Sequence, residues 1–339
     1  MATPTPATKT SFTIGTRKSK LALEQTELVA AALKKTHPDY EFRIFSKETA
    51  GDLNTKIALR DFTSKNLWTE ELEELMIDGQ VDFIVHSLKD VPTVLPATCT
   101  LGPMMPREDS RDVLVVKQGL SYKSLSEIPA GSVVGTSSIR RTAQLARKFP
   151  HLKVLDVRGN IGTRLAKLDA EDSPYTCIIL AAAGLLRLDL GDRITQYLDS
   201  KSSGMLYAVG QGALGIEIRK EDTFLQEMLS KIGHSETTYA CLAERSLLRT
   251  LEGGCSAPLG VETEWVQTAE GSKKLRMRSV VVSVDGQKCA QVEVDGDVDS
   301  TESAEAFGVT VAKALVGEGA GAILEEIQRN KVVKENVSS

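Results

Sequence analysis

The pattern of apolar and polar positions predicts strands and helices in alternation over the first two-thirds of the chain. Residues 12–16, 41–46 and 81–85 are short runs with the length and apolar content of strands. Strands that alternate with helices predict a parallel or mixed α/β sheet. A helical pattern follows the first run, and we assign its apolar face to Leu21, Leu28, Val29, Ala32 and Leu33.

A second helical pattern, around Leu72 and Met76, is rich in glutamate. An acidic run of this kind is compatible with a metal site, but a solvated face is the ordinary arrangement on a surface helix. We therefore interpret the acidic run as a solvated helix face. Its members are Glu70, Glu71, Glu73 and Glu74.

A second α/β unit follows the connector at residues 102–106. Its strands are predicted at residues 113–116, 132–135, 152–157 and 177–180. In sheets of this class, ligands bind beyond the carboxyl ends of the strands. The polar segments that follow these strands are therefore the candidate binding elements, as are the segments at 17–20 and 86–90 in the first unit.

Arginines recur where the strands of the second unit lead into helices. Helix N-termini offer free N–H groups to an anion, and arginine recognises carboxylates or phosphates with two hydrogen bonds. Each well-made charged hydrogen bond contributes roughly 1.5–3 kcal/mol. A ligand with several carboxylates would use the whole set, which we place at strand-to-helix turns: Arg140, Arg141, Arg158, Arg164 and Arg187.

The glycine-rich segment at residues 210–215 matches the dinucleotide-binding fingerprint, but its context excludes that function. The fingerprint requires a strand before it and a helix opening within it. Residues 216–219 instead alternate like a strand, so we interpret the segment as a crossing between domains. Beyond residue 221, two helical patterns, two β-rich runs (275–284 and 288–294) and a helix-rich tail predict a small α+β domain with an antiparallel sheet.

Cys255 lies in a segment with the sequence of a sharp turn. The helical pattern at residues 237–251 runs into Gly253 and Gly254, and Pro258 prevents the helix from resuming. We infer that the sulfur of Cys255 is presented rather than packed along a helix face. The simpler alternative is a small buried residue, since free cysteine is among the most buried residue types.

Three functions remain open from these residues alone. Cys255 could be the nucleophile of an acyl-transfer enzyme, with His86 or His234 as its base, although no local motif links them. The two α/β units could form a binding protein that closes on an acidic ligand. In the third function, Cys255 carries a covalent group, the arginines hold an acidic substrate and Asp90 performs acid–base work beside Lys89.

Composition narrows the class of protein. The chain has 339 residues, which predicts two or three domains, and its net charge of −5 argues against a nucleic-acid-binding protein. No apolar run has the length of a membrane span, and residues 1–10 do not resemble a signal peptide. The cysteines are odd in number and widely spaced, and neither they nor the histidines have metal-ligand spacing. We expect no disulfide framework and no metal.

Six motifs in this order resemble those of the porphobilinogen deaminase, or hydroxymethylbilane synthase, family. The resemblance covers roughly residues 12–328 and rests on all six motifs in order, because each motif alone is weak. The motifs are TRKS at 16–19, HSLKDVP at 86–92, GTSSIRR at 135–141, RGNIGTR at 158–164, VGQGA at 209–213 and LEGGC at 251–255.

The resemblance implies a fold of three domains. The first two are α/β domains like those of periplasmic binding proteins, and the third is a smaller C-terminal α+β domain with an antiparallel sheet. On this chain the first domain is expected at residues 1–105 and 212–232, the second at 111–207 and the third, with the cofactor cysteine, at 236–339.

The resemblance also implies the reaction. The family is a transferase of tetrapyrrole (haem) biosynthesis that joins four porphobilinogen molecules head to tail with loss of ammonia. Growth occurs on a covalent dipyrromethane primer, and water releases the linear product, hydroxymethylbilane. Cys255 matches the cysteine that holds the primer through a thioether, and Asp90 matches the catalytic aspartate.

Further site residues are carried over by the resemblance. The expected cofactor contacts, besides Cys255 and Asp90, are Lys89, Ser138, Arg140, Arg141, Arg158, Arg164 and Arg187. The expected substrate contacts are Arg17, Ser19, Lys65, Arg158, Arg187 and Gln211.

One loop departs from the family pattern. The family's glycines around the matching lysine are replaced here by Thr63, Ser64 and Asn66, which flank Lys65. Closure of this loop over the cleft is therefore not carried over. The resemblance further implies a cytoplasmic monomer that binds porphobilinogen and the growing polypyrrole, without nucleic acid or membrane.

Overall fold

The computed structural model describes residues 9–49, 69–251, 257–269 and 271–338. The strands are β1 (Ser11–Arg17), β2 (Glu41–Lys47), β3 (Phe83–Ser87), β4 (Cys99–Leu101), β5 (Asp112–Val116), β6 (Val133–Gly135), β7 (Lys153–Leu155), β8 (Cys177–Ala181), β9 (Gln196–Leu198), β10 (Leu214–Arg219), β11 (Leu259–Gln267), β12 (Lys273–Val282) and β13 (Cys289–Gly296). The helices are α1 (Lys20–Thr36), α2 (Glu70–Ile77), α3 (Ile139–Lys148), α4 (Ile161–Asp169), α5 (Ala182–Leu186), α6 (Thr223–Ser230), α7 (Ser235–Thr250), α8 (Thr301–Gly317) and α9 (Ala320–Ser338).

These elements fall into two compact units. The described part of the first unit comprises residues 9–49, 69–108 and 212–238, and that of the second comprises residues 109–211 and the described residues from 239 onward. The first unit contains one mixed sheet. The second contains a mixed sheet and a separate antiparallel sheet.

The sheet of the first unit has the strand order β2-β1-β3-β10-β4. Strand β1 pairs in parallel with β2 and β3, whereas β10 is antiparallel to both of its neighbours. Helices α1 and α6 cover this sheet, and Phe12, Leu33, Phe83 and Leu229 are almost fully buried in the core that they form. The alternation predicted from the sequence therefore corresponds to a mixed α/β sheet.

The mixed sheet of the second unit repeats this topology. Its order is β7-β6-β8-β5-β9, with β6 parallel to β7 and β8 and with β5 antiparallel to β8 and β9. In both sheets the fourth strand of this order is an antiparallel strand that is not consecutive in sequence with its neighbours: β10 between β3 and β4, and β5 between β8 and β9. The predicted pair of α/β sheets is confirmed.

The antiparallel sheet has the order β11-β12-β13, and helices α8 and α9 pack on it. Leu275, Met277, Phe307 and Val311 contribute to their shared core. This arrangement confirms the predicted smaller C-terminal α+β domain. Strand β11 is an addition, because the sequence pattern indicated only the two runs that form β12 and β13.

Two predicted helix faces differ from the structure. Leu28, assigned to the apolar face of α1, is 48% exposed, whereas the buried face includes Ala22, Thr26 and Ala30. Val29 and Leu33 are buried as predicted, so the buried face is shifted around the helix toward these three residues, which leaves Leu28 outside. On α2, Glu70 and Glu74 are exposed as predicted, but Glu73 is buried.

Glu73 belongs to a buried group of ionisable side chains in the first unit. Helix α2 packs against β3 and β10, which contribute His86 and Glu217. Nε2 of His86 lies 3.2 Å from a carboxylate oxygen of Glu217, and both residues are buried. Burial raises the pKa of Glu73, and the charge of Glu217 adds to this effect.

A helix must be long and apolar to cross a membrane. Among the described residues, no single helix is long and apolar enough to cross a membrane. Two consecutive helices, Thr301–Gly317 and Ala320–Asn330, have the length and apolar composition of a membrane span only when taken together, and they are bent by 80°.

We predict that Glu73→Gln increases stability at neutral pH more than at acidic pH. Because burial raises the folded-state pKa of Glu73, its contribution is most favourable below the unfolded-state pKa and is lost as pH rises through the folded-state value. Glutamine cannot ionise, so the gain in Tm over the parent should grow from about pH 4 to about pH 8. Differential scanning calorimetry across this range measures it.

Glu74→Gln on the exposed face of the same helix is the matched control and should show no such trend. A Glu73→Gln gain in Tm that is the same at every pH would contradict the assignment.

Candidate functional site

Arg17 and Asp90 meet at one edge of the first sheet. Strands β1 and β3 are parallel neighbours, so their carboxyl ends lie together. Arg17 ends β1, and Asp90 lies in the single helical turn Leu88–Asp90 after β3. Nη1 of Arg17 is 3.9 Å from Oδ2 of Asp90, and both side chains are partly exposed. The edge thus presents an accessible carboxylate beside a cation.

The turn that carries Asp90 is held by buried neighbours. The backbone N–H of Leu88 donates to Ala213 at 3.0 Å, and that of Val91 donates to Leu88 at 3.1 Å. The side chains of Leu88 and Val91 are buried, which leaves Lys89 and Asp90 half-exposed. Packing therefore fixes the backbone while the two ionisable groups reach solvent.

Ser19 has a structural task in addition to its expected contact with substrate. Its hydroxyl caps α1 by accepting a hydrogen bond from the backbone N–H of Ala22 at 3.3 Å. The cap places the first turn of α1 directly after Arg17. The N-terminal N–H groups of that turn are suited to an anionic group.

The second unit has the same construction at three parallel strands. Strands β6, β7 and β8 end at a common edge, and α3, α4 and α5 begin just beyond it. The hydroxyl of Ser138 accepts from the N–H of Arg141 at 3.5 Å, and Oδ1 of Asn160 accepts from the N–H of Thr163 at 2.8 Å. Caps of this kind start α3 and α4, whereas α5 begins without a side-chain cap.

Arg158, Arg164 and Arg187 are half-buried at this edge. Arg158 follows β7, and Arg164 lies in the first turn of α4, where its Nε donates to the carbonyl of Gly159 at 2.7 Å. Arg187 differs from the prediction, because it caps the C-terminus of the short helix α5 and does not lie at the strand-to-helix turn. The reason is that α5 begins directly at the end of β8.

Arg140 and Arg141 are in the first turn of α3, as predicted, but they are only 4% and 6% exposed. Both donate to the carboxylate of Asp112, at 2.7 Å from Nη1 of Arg140 and 2.7 Å from Nη2 of Arg141. In this structure the two guanidinium groups therefore contact an internal carboxylate. Their expected role as ligand contacts remains a prediction.

Gln211 belongs to the same group of residues. Its Nε2 donates to the carbonyl of Ser110 and to Oδ1 of Asp112, each at 2.8 Å, and the residue is 1% exposed. Its amide therefore contacts the protein itself in this structure, and its expected contact with substrate remains a prediction.

Asp112 is the residue that the sequence interpretation missed. It begins the fully buried strand β5, and its signal was an acidic residue directly before the run Val-Leu-Val-Val. Burial alone would raise the pKa of Asp112, but Arg140 and Arg141 hold it well below the usual range. Asp112 is therefore an ionised, buried carboxylate.

Two predicted site residues, Cys255 and Lys65, lie outside the described residues. Helix α7, which leads toward Cys255, ends at Thr250. Cys241 is buried within this helix. Within the described ranges, no group of three or more His, Cys, Asp or Glu side chains is arranged to hold a metal ion.

The first unit presents an accessible carboxylate beside an arginine, and the second presents arginines beyond strand ends. These features define the class: an α/β protein whose cationic side chains suit acidic ligands. Comparison with family models makes this specific. The model described as "Porphobilinogen deaminase, dipyromethane cofactor binding domain" matches residues 12–227, and "Porphobilinogen deaminase, C-terminal domain" matches residues 238–317. The chain belongs to the porphobilinogen deaminase family.

Curated relatives agree over nearly the whole chain. The porphobilinogen deaminase of Yarrowia lipolytica is 52% identical over 327 residues, which cover 94% of each chain. The protein of this name from Schizosaccharomyces pombe is 48% identical over 333 residues, covering 97% of this chain and 98% of the relative. That from Saccharomyces cerevisiae is 47% identical over 324 residues, covering 94% and 98%.

Solved structures with some similarity are much more distant. The periplasmic VFT2 domain of Bordetella pertussis BvgS is 14% identical, with a TM-score of 0.40 and coverage of 71% of this chain and 94% of that domain. The effector-binding domain of BenM with its effector benzoate is 14% identical, with a TM-score of 0.40 and coverage of 66% and 90%. The assignment of the fold rests on the strand order of the three sheets.

We predict that Gly159→Ala weakens the turn that carries Arg158 and Arg164. Gly159 has φ +114°, and an added Cβ would lie 2.7 Å from Cγ2 of Thr163. Strain of this kind costs about 1–3 kcal/mol. Urea unfolding should show a loss of stability of this size.

Gly162→Ala, in the same turn, is the matched control. An added Cβ there meets only Oδ1 of Asn160, at 3.5 Å, and alanine favours a helix by about 1 kcal/mol over glycine. Equal stabilities for the two variants would show that the geometry at Gly159 imposes no constraint.

Proposed function

We propose that the chain is a hydroxymethylbilane synthase. It condenses four molecules of porphobilinogen head to tail, releases one ammonia at each addition, and frees the linear tetrapyrrole by hydrolysis. The observation that carries this proposal is the pairing of Asp90 with Arg17 at the strand edge, in a chain that belongs to the porphobilinogen deaminase family.

Asp90 has the placement that the proposed chemistry needs. Departure of ammonia from the aminomethyl group leaves a methylene-pyrrole cation, and the new bond forms when a pyrrole carbon attacks it and loses its proton. A carboxylate held at the pyrrole N–H stabilises the positive charge as it develops. It also supplies or accepts a proton at the departing nitrogen. The fixed backbone of the turn at residues 88–90 supports such a role.

The arginines bind the carboxylate side chains of the pyrroles. Each pyrrole carries an acetate and a propionate, so the bound chain becomes more anionic with every ring. Arg17, Arg158 and Arg164 are half-buried beyond strand ends, and Arg187 is half-buried at the C-terminus of α5. Arginine forms charge-assisted hydrogen bonds to carboxylates. Lys89 adds a cation beside Asp90. Local positive charge within each unit is necessary because the whole chain has a net charge of −5.

The described residues fit a dipyrromethane primer with acidic arms. Among the described residues, the Nε atoms of Arg140 and Arg141 are buried without a hydrogen-bond partner, and donors of this kind suit carboxylates. When bound through Cys255, the primer supplies the nucleophilic pyrrole carbon and retains the growing chain. Cys255 acts as its anchor, and Ser138, Arg140 and Arg141 hold its arms. Gln211, Ser19 and Lys65 contribute to substrate binding.

We also propose three domains with the boundaries expected from the sequence, at residues 1–105 with 212–232, at 111–207 and at 236–339. The separate antiparallel sheet supports a third domain within the second compact unit. A cytoplasmic location and a monomeric state complete the proposal.

We predict that the intact protein carries a covalent increment of two pyrrole units after expression. Cys255→Ser should show only the polypeptide mass, because serine cannot form the thioether. Intact-protein mass spectrometry measures this, with Cys241→Ser as the matched control that keeps the increment. A bare polypeptide mass for the parent would instead favour an acyl-transfer enzyme or a binding protein.

We predict that Asp90→Asn retains the primer but slows ring addition by a factor of about 100 or more. Asparagine has a similar size but no negative charge with which to stabilise the cation. The rate of porphobilinogen consumption and the intact mass measure the two effects. Asp78→Asn, at the exposed C-terminus of α2, is the control. Near-normal turnover of Asp90→Asn would exclude the role assigned to Asp90.

A further inference from the structure

Asp112 is the centre of a buried hydrogen-bonding group in the second unit. Its Oδ2 accepts from Nη1 of Arg140 at 2.7 Å. Its Oδ1 accepts from Nη2 of Arg141 at 2.7 Å, from Nε2 of Gln211 at 2.8 Å and from Nη2 of Arg140 at 3.3 Å. One carboxylate, 1% exposed, thus determines the orientation of two guanidinium groups.

Backbone carbonyls complete the contacts of the two arginines. Nη1 of Arg140 donates to Leu206 at 2.6 Å, and Nη1 of Arg141 donates to Ile179 at 2.7 Å. Carbonyl oxygens accept hydrogen bonds but carry no net charge. They orient the guanidinium groups further, whereas only Asp112 provides a formal negative charge among the contacts described.

The charges of Asp112, Arg140 and Arg141 do not cancel. Arginine stays protonated in proteins, and the pKa of Asp112, which burial alone would raise, is held low by the two guanidinium groups. Two positive charges and one negative charge leave a net charge of +1 in a place that is nearly closed to solvent. Such a charge is costly unless a counter-ion approaches it.

Two further observations indicate where a counter-ion would approach. Nε of both arginines is buried, and the described part of the chain offers neither atom a hydrogen-bond partner. Both residues belong to the first turn of α3, a helix of ten residues, which Ser138 caps at a half-exposed position. The partial positive charge of a helix N-terminus adds to the net charge of the arginine pair.

We propose that Asp112 is a positioning residue for Arg140 and Arg141, which leaves the pair with the charge to receive one carboxylate of the bound polypyrrole. This inference rests on the proposed function and extends it from the arginines to the residue that controls them. Gln211 links the same carboxylate to the segment at residues 209–213. Asp112 itself does not contact the ligand.

The test compares the thermal stability of the unloaded and primer-loaded forms of Asp112→Asn. Protein from a host that lacks porphobilinogen supplies the unloaded form, and incubation with porphobilinogen supplies the loaded form. In the variant the net charge of the group rises to +2, so the unloaded form should lose more stability than the loaded form. We expect the increase in Tm on loading to exceed that of the parent by about 3 °C or more.

Two controls separate this effect from simple damage to the fold. Asp109→Asn removes an aspartate that forms an ion pair with Arg111, at 2.6 Å. It should lower the Tm of the unloaded and the primer-loaded forms equally. Asp112→Glu keeps the charge and should return the increase in Tm toward that of the parent. An Asp112→Asn protein whose two forms lose equal stability would show that Asp112 is only a structural ion-pair partner.

The failure of the proposed function would be recognised separately. If the parent gains no mass on incubation with porphobilinogen, the primer assignment fails before Asp112 is tested. If the parent loads and Asp112→Asn responds as the parent does, only the inference about Asp112 fails.

A second variant covers the case in which Asp112→Asn does not fold in either form. The double variant Asp112→Asn, Arg141→Gln returns the net charge of the group to +1. We expect it to fold in its unloaded form, with a Tm closer to that of the parent, because the buried charge is again that of the parent. A double variant that is as unstable as Asp112→Asn would overturn the charge-based role of Asp112.

Discussion

Parallel neighbours in a sheet end at the same edge, and the placement of every candidate site residue in the described sheets depends on this constraint. In the first unit it brings Arg17 and Asp90 within 3.9 Å, although 73 positions separate them in the chain. In the second unit it aligns the ends of β6, β7 and β8, from which the arginine-bearing turns begin. Because the strand order is repeated, each mixed sheet has one edge at which the carboxyl ends of its parallel strands lie together.

The turns at these edges combine two tasks that compete for the same polar groups. Ser19, Ser138 and Asn160 cap helices, so their oxygens already accept backbone hydrogen bonds. A capped helix start still presents further N–H groups and a partial positive charge to an anion. Capping therefore builds an anion-binding position, and the neighbouring arginines add formal charge to it.

Buried charge is distributed unevenly between the two units. In the first unit, His86 and Glu217 form a pair beside Glu73, whose pKa is raised by burial. In the second unit, Asp112 faces Arg140 and Arg141, so the buried excess is positive. A positive excess in the unit that carries the row of arginines matches the negative charge of the carboxylates of porphobilinogen.

Local signals were sufficient for much of the fold and for part of the site. Strand runs, helix periodicity and the turn residues between them predicted the two mixed sheets, because these signals depend on neighbouring residues. They also placed Arg158 and Arg164 beside strand ends. The position of Arg187 required the structure, because the short helix α5 displaces it from the turn.

The remaining features depend on contacts between segments that are distant in the chain. The sequence by itself determined the alternation of elements, the supply of arginines and the family motifs. Only the tertiary structure decided that Leu28 faces solvent, that Glu73 is buried and that Asp112 binds Arg140 and Arg141. The physical reason is that burial and charge pairing are set by what packs against a residue, and 28 positions separate Asp112 from Arg140.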